Sequence, residues 1–500
     1  MITRRSLLRG LLLGGGGSAA FLGGIPVPSL RLGRAQDNPW SRTFDDYSSA
    51  RPPSYARPLP IPKTLAPVRR DERCDYFELT IERGFAQPLP GKASEILGYA
   101  GQWPGPTLEV TRGRTARVSV RNRTEEPMSV HNHGQRCAPE NDGHPLDYIR
   151  PGARKEYEYP NDQSAGTYWL HDHAFGLTGP HVYRGLAAFY LVKDPAEAAL
   201  GLPGGSCDVP IVLQDRLFDA EQALTYSVGP ASVNTGFLGN TLCANGVHTP
   251  YLEVQARKYR FRFLNGSNAR NYRLSLAPVG RERRDVEGDP FWQIAADGSL
   301  LEHPVRLTSC ELAPAERCDC VIDFSSYTPG TTVLLQNLDP TWPVLPDVLQ
   351  FRVHPSDGDP SRLPDTLCKI ERLDPKRAAV RRRILFQISD GKWTMNGLRY
   401  DPARIDFRPK LGSVEVWQLV NGEATQMHPF HQHLVPFQVL DINDRPPAAQ
   451  LRGWKDTVSV PPHGSARIIM KFSGFKGVYV FHCHKLEHED HAMMLQQQVV

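Results

Sequence analysis

Three stretches, far apart in the chain, share one pattern: a β-rich run that ends in asparagine. They are Leu108-Glu109-Val110 through Val118-Ser119-Val120-Arg121-Asn122, Leu252-Glu253-Val254 through Phe261-Arg262-Phe263-Leu264-Asn265, and Val414-Glu415-Val416 through Leu419-Val420-Asn421. Such self-similarity predicts three copies of one β-sandwich unit. A chain of 500 residues is long enough for about three domains. The 42 glycines and 44 prolines favour many short strands over long helices. Composition shifts place domains at 71–195, 206–355 and 383–500, with a linker at 356–382 and an extended arm at 36–70. The middle copy, with Ala313-Pro314-Ala315-Glu316-Arg317 as a turn, reads as a spacer and packing domain.

The first 35 residues are expected to be an export signal. Arg4-Arg5-Ser6-Leu7-Leu8 is a twin-arginine pattern, and a glycine-rich apolar stretch follows from Leu11 to Gly24. That stretch is too short and too rich in glycine to span a bilayer, so no membrane anchor is expected after processing. The formal charge is +4, yet residues 1–35 hold five arginines and no acid. Their removal leaves −1, which argues against a nucleic-acid partner. The product is expected in the periplasm or outside the cell, as a monomer.

Ten of the 17 histidines fall in four short motifs. These are His131-Asn132-His133-Gly134, His171-Asp172-His173, His428-Pro429-Phe430-His431-Gln432-His433 and His482-Cys483-His484, the last followed by His488 and Met493. In a strand, residues two apart share a face, so each H-x-H presents two imidazoles side by side. One zinc site uses four ligands, and eight converging imidazoles would imply a cluster of metals. Imidazole with thiolate points to copper or zinc rather than to a hard cation. Cys483 faces away from His482 and His484, so one strand can serve two sites. With His428, His488 and Met493 it has the two-His, one-Cys, weak axial Met composition of an electron-transfer copper site.

Together these motifs resemble the multicopper oxidase family, over about residues 70–500. Within it the chain is most similar to bacterial spore-coat-type laccases and bilirubin oxidases. The signs are Tyr168-Trp169-Leu170-His171-Asp172-His173-Ala174, Pro250 to Val254 running into Arg257 to Arg262, and Leu486-Glu487-His488-Glu489-Asp490. The resemblance implies an all-β fold of three cupredoxin-like Greek-key sandwiches and four copper ions per chain. It implies type 1 copper on His428, Cys483, His488 and Met493, and type 2 copper on His131 and His431. It implies a type 3 pair on His133, His171 and His484 and on His173, His433 and His482. A small reducing substrate would be oxidised at type 1 copper, with O2 reduced to water at the other three. Asp142 and Glu489 are candidates to deliver protons, with Asp490 behind them.

Two readings compete with a laccase-like enzyme. A cuprous-ion oxidase would favour thioether sites for the incoming ion; only seven methionines occur, of which Met427 and Met494 lie near the type 1 motif. A copper-free structural or cell-division protein should have eroded ligand positions, and none is eroded here. The remaining histidines, His144, His181, His248, His303, His354, His463 and His491, lack paired spacing, and surface or hydrogen-bonded roles are expected. Cysteines other than Cys483 are expected to be small core residues or to form one or two bridges. Cys318-Asp319-Cys320, with no histidine nearby, is not expected to hold metal.

Overall fold

The computed structural model describes residues 53–279, 288–341 and 343–500. The expected export segment and the first part of the arm lie outside the described residues. Each repeat becomes the same piece of sheet. Thr115–Asn122, Lys258–Asn265 and Val414–Asn421 are strands, and each lies parallel to the strand that opens its domain: Cys74–Ala86, Asp208–Arg216 and Val380–Ser389. On its other edge each has an antiparallel neighbour, Arg154–Tyr159, Arg317–Asp323 or Ser465–Lys471.

The closing asparagines do identical work. The Oδ1 atoms of Asn122, Asn265 and Asn421 accept the backbone N–H two residues on, at 2.9, 3.0 and 3.0 Å. Each Nδ2 donates to two backbone carbonyls. All three side chains are buried. A buried amide must be saturated, and this Asx geometry does so while turning the chain.

Six sheets make three sandwiches. In the first, a five-stranded sheet faces a four-stranded one built from Leu108–Thr111, Ala187–Lys193, Gly166–Asp172 and Val130–His133. The middle sandwich sets seven strands against five, and the third sets five against four. Each interior is an apolar cluster, centred on Val118 and Tyr190, on Phe261 and Phe351, and on Trp417 and Phe481. The three pack within one compact unit, Tyr47–Val500. Between His354 and Val380 no described residue joins a sheet, and one 3₁₀ turn, Pro375–Arg377, forms. The described arm is extended and bridges Pro58 to Tyr251 and Thr64 to Thr107, which ties the middle and first sandwiches together.

Candidate metal centres

All ten motif histidines are buried, and the sheet register explains how they meet. Val130–His133 pairs antiparallel with Gly166–Asp172, placing His131 opposite His171. His428–Gln432 pairs with Gly477–Cys483, placing His431 opposite His482. Facing residues on neighbouring strands are the closest side-chain pairs a sheet offers. The four-stranded sheets of the first and third sandwiches present these pairs to each other, so that His131 stacks on His433 at 3.9 Å and His133 on His431 at 3.6 Å between centroids.

The outer nitrogens of these rings are fixed. His131 Nδ1 donates to the Asp142 carbonyl, His431 Nδ1 to the Asp456 carbonyl at 2.9 Å, and His171 Nδ1 to the Asp172 carbonyl at 2.8 Å. His433 Nδ1 donates to Asp142 Oδ2 at 2.8 Å, and His133 Nε2 to Asp456 Oδ1 at 3.0 Å. Carbonyls only accept, so His131 and His431 carry their protons on Nδ1. Burial, reinforced by neighbouring imidazoles, holds both rings well below the usual histidine range, and both are neutral. Their Nε2 atoms are then bare acceptors, yet they face each other at 3.4 Å. His482 Nε2 likewise lies 3.2 Å from the Nε2 atoms of both His173 and His433. Lone pairs held this close need a cation between them. Three neighbouring groups, His131 with His431 and His433, His131 with His133 and His171, and His173 with His433 and His482, have ligand atoms close enough to share an ion. Among the described residues His133 Nδ1, His171 Nε2 and both His484 nitrogens have no hydrogen-bond partner. Outward N–H groups anchored on carbonyls and carboxylates, with inward nitrogens free, are the normal setting of metal-bound imidazole.

Cys483 projects to the other side of its strand, into the third core. Its Sγ lies 3.4 Å from His428 Nδ1 and 3.6 Å from His488 Nδ1. Burial pushes this thiol up to about 12, so the thiolate needs a soft cation to form. Met493 follows the helix Leu486–Asp490; its N–H donates to the His488 carbonyl at 2.9 Å, and its own carbonyl accepts the Cys483 N–H at 3.2 Å. The buried Met493 is thereby tied to both ends of the Cys483–His488 segment.

Comparison with known proteins agrees with this chemistry. Two multicopper oxidase family models match residues 80–197 and 373–500. A laccase of Bacillus subtilis is 35% identical, with 87% of this chain and 96% of the relative covered. The chain belongs to the multicopper oxidase family. A bilirubin oxidase of Albifimbria verrucaria is also 35% identical, with coverage of 88% and 80%. The crystal structure of a Pediococcus acidilactici laccase superposes with a TM-score of 0.82 at 33% identity, covering 90% of this chain and 95% of that one. This multicopper oxidase is thus a copper-binding oxidoreductase of cupredoxin-like fold, acting on small-molecule reductants with dioxygen.

Asp142 and Glu489 both flank the oxidase's histidine cluster. Asp142 is fully buried, and burial raises its carboxyl to about 8. Its Oδ1 has no hydrogen-bond partner among the described residues. Glu489 lies with Oε1 3.4 Å from His173 Nδ1 and Oε2 3.2 Å from His482 Nδ1. Burial opposes its ionisation, but His482 and His173 outweigh this and hold it below the usual carboxylate range. Asp490 does other work: it accepts the N–H groups of Thr178 and Gly179 at 3.0 and 2.7 Å, capping the helix Thr178–Arg184.

Several features had no motif to reveal them. His181 is buried between Asp172 Oδ2 at 2.9 Å and Glu126 Oε2 at 2.6 Å. Burial works against its charge, but the two acids prevail and raise it to about 9. Asp172 also accepts the N–H groups of Ser129 and Ala174, bracing the segment that carries His171 and His173. Over the Cys483 group, His488 Nε2 donates to the Asn234 carbonyl at 3.1 Å, and the Trp393 indole stacks on His488 at 4.6 Å. All nine cysteines are free thiols, seven of them buried, so the expected alternative of bridges is not realised. Cys310, which no spacing rule connects to Cys318 and Cys320, joins them in the middle core, with Sγ separations of 3.4 Å (Cys310–Cys318) and 3.7 Å (Cys318–Cys320).

Proposed function

We propose that this oxidase works as a laccase on phenolic or similar reductants. In this reading His428, Cys483, His488 and Met493 would hold a type 1 copper, and His131 and His431 would hold a type 2 copper. His133, His171 and His484 would hold one type 3 ion and His173, His433 and His482 the other, about four ions in all for a ligand set of this size. Copper bound by these residues would supply one-electron redox chemistry, with single-electron oxidation of the reductant at the Cys483 site and four-electron reduction of dioxygen at the histidine cluster.

The carrying observation is the strand Gly477–Cys483 with His484. His482 and His484 face the imidazole cluster while Cys483, between them, faces His428 and His488. That arrangement gives electrons a covalent path of a few bonds. The bare nitrogens that face each other across the cluster supply the reason for metal there. Asp142, protonated at neutral pH, holds a proton beside the cluster, on the oxygen that His433 does not use. Glu489, held ionised, faces the Nδ1 atoms of His173 and His482 and so keeps a negative charge behind two rings of the cluster.

The cuprous-ion reading has less support. Met494 is buried among Tyr400, Val480 and Ala492, and the Met427 sulfur accepts the Ser459 hydroxyl at 3.7 Å. We further propose that residues 1–35 direct export by the twin-arginine route to the periplasm or beyond, leaving an unanchored monomer. The test of function is an absorption spectrum and copper count on loaded protein, then oxygen uptake with a phenolic dye and with cuprous ion. A blue protein with about four coppers and faster uptake with the phenol is expected. A preference for cuprous ion would replace the laccase reading, and a colourless, copper-free protein would end both.

A further inference from the structure

We infer that the middle sandwich is a working part of the oxygen-reducing site, because Arg317 clamps Asp456 as the residue that orients His133 and His431. The inference rests on the trinuclear ligand set proposed above. The Asp456 carboxylate is buried. Its Oδ1 accepts from His133 Nε2 at 3.0 Å, and its backbone carbonyl accepts from His431 Nδ1 at 2.9 Å. One residue therefore fixes the tautomer of two imidazoles that belong to different sandwiches, leaving His133 Nδ1 and His431 Nε2 free to point inward. A carboxylate or carbonyl behind a ligating imidazole sets both its orientation and its basicity.

Asp456 is in turn held by the middle domain. Arg317 donates Nη1 to Oδ1 at 2.7 Å and Nη2 to Oδ2 at 2.6 Å, the two-point geometry in which arginine fits a carboxylate. The guanidinium has no freedom of its own. Its Nε donates to the Thr167 carbonyl at 2.8 Å, in the first sandwich, and its Nη2 also reaches the Asp297 carbonyl at 3.1 Å. Asp297 Oδ1 accepts the Arg317 N–H at 2.8 Å, and Asp297 Oδ2 pairs with Lys455 Nζ at 2.9 Å. Glu316 Oε1 lies 3.2 Å from the same Lys455. All of these side chains are buried, and the network ties all three sandwiches to the back of two rings.

The same clamp gives a reason for the glycine of the first motif. Gly134 has φ +84°, and a Cβ there would collide with Asp456 Oδ2 and press on Arg317 Nη2. Asp456 and Arg317 are positioning residues, since both act through imidazoles.

The test uses full-length, copper-loaded protein carrying Asp456→Asn, which keeps the shape but breaks the charge, and separately Arg317→Lys, which keeps the charge but loses the fork. The blue type 1 band serves as the internal control for folding. In both variants that band should keep its wild-type intensity. The type 2 electron paramagnetic resonance signal should shift or fade, and copper outside the type 1 site should be lost to a chelator after a roughly 10–100-fold fall in affinity, with the milder change in Arg317→Lys. Wild-type copper retention and an unchanged type 2 signal in either folded variant would overturn the inference. Equal loss of the type 1 band would also overturn it, since that outcome marks a merely structural network. A wild-type protein that binds no copper would instead refute the proposed function.

Discussion

Replacing Asp142 by asparagine separates two roles that its carboxyl combines. The amide oxygen of the Asp142→Asn variant can still accept from His433 Nδ1, which lies 2.8 Å from Oδ2 of the native carboxyl, so the ring stays in place. The amide cannot donate a carboxylic proton. Burial raises the Asp142 carboxyl to about 8, with no cation near enough to reverse this, so the native group is protonated at neutral pH. If it delivers protons in dioxygen reduction, turnover requires the protonated form and must fall as pH rises through about 8. The asparagine variant should lose that limb of the profile, and its rate should fall by roughly 100- to 10,000-fold, the usual contribution of general acid catalysis. Copper content should not change. Asp142→Ala should behave differently, because it strands a buried N–H on His433, at a cost of about 1–3 kcal/mol, and should lose copper too. Oxygen uptake with a phenolic dye from about pH 5 to about pH 10, a range that brackets the carboxyl's titration, alongside copper counts, reads both quantities. An Asp142→Asn enzyme with near-native rate and an unchanged alkaline limb would refute the proton-delivery argument.

Three further substitutions follow from buried polar groups. Glu487 accepts from Phe237 N–H, Asn268 Nδ2 and the Tyr226 hydroxyl, each at 2.8 Å. Glu487→Ala should therefore release the segment around Tyr226–Phe237 that lies over His488, seen as faster proteolysis there and a loss of several kcal/mol in chemical denaturation; native protease resistance would count against this. His181, raised from 6.5 to about 9, contributes stability that is fully present below pH 6.5 and is lost as pH climbs through 9, on the order of 3 kcal/mol. Melting curves of His181→Gln should lack that alkaline decline, and a parallel pH dependence in the two proteins would contradict the assignment. Asn265→Ala should cost about 2–3 kcal/mol through two unpaired carbonyls and a lost turn, with Asn122 and Asn421 behaving alike in denaturant titrations.

What the sequence discloses and what it hides divide along a physical line. The asparagine-closed repeats were legible because a parallel strand with one saturated amide at its end requires the same residues each time it is built. The ten histidines were legible because a two-residue period is all that puts ligands on one face of a strand, and because Cys483 must then fall on the other. Arg317, Asp456 and Asp297 obey no period. They meet because the middle and third sandwiches converge on one point, where the Thr167 carbonyl of the first also reaches Arg317, and their pairing is a property of the packing between domains. The middle repeat carries no paired histidines and so reads as a spacer and packing domain, and the guanidinium it extends to Asp456 lies outside what that pattern can show. The same holds for His181, whose two acids come from Glu126 and Asp172, and for Cys310, which reaches Cys318 and Cys320 from the opposite sheet of its sandwich. In a fold of this kind, ligands are written along strands, while the groups that hold the ligands are written across the interfaces between domains.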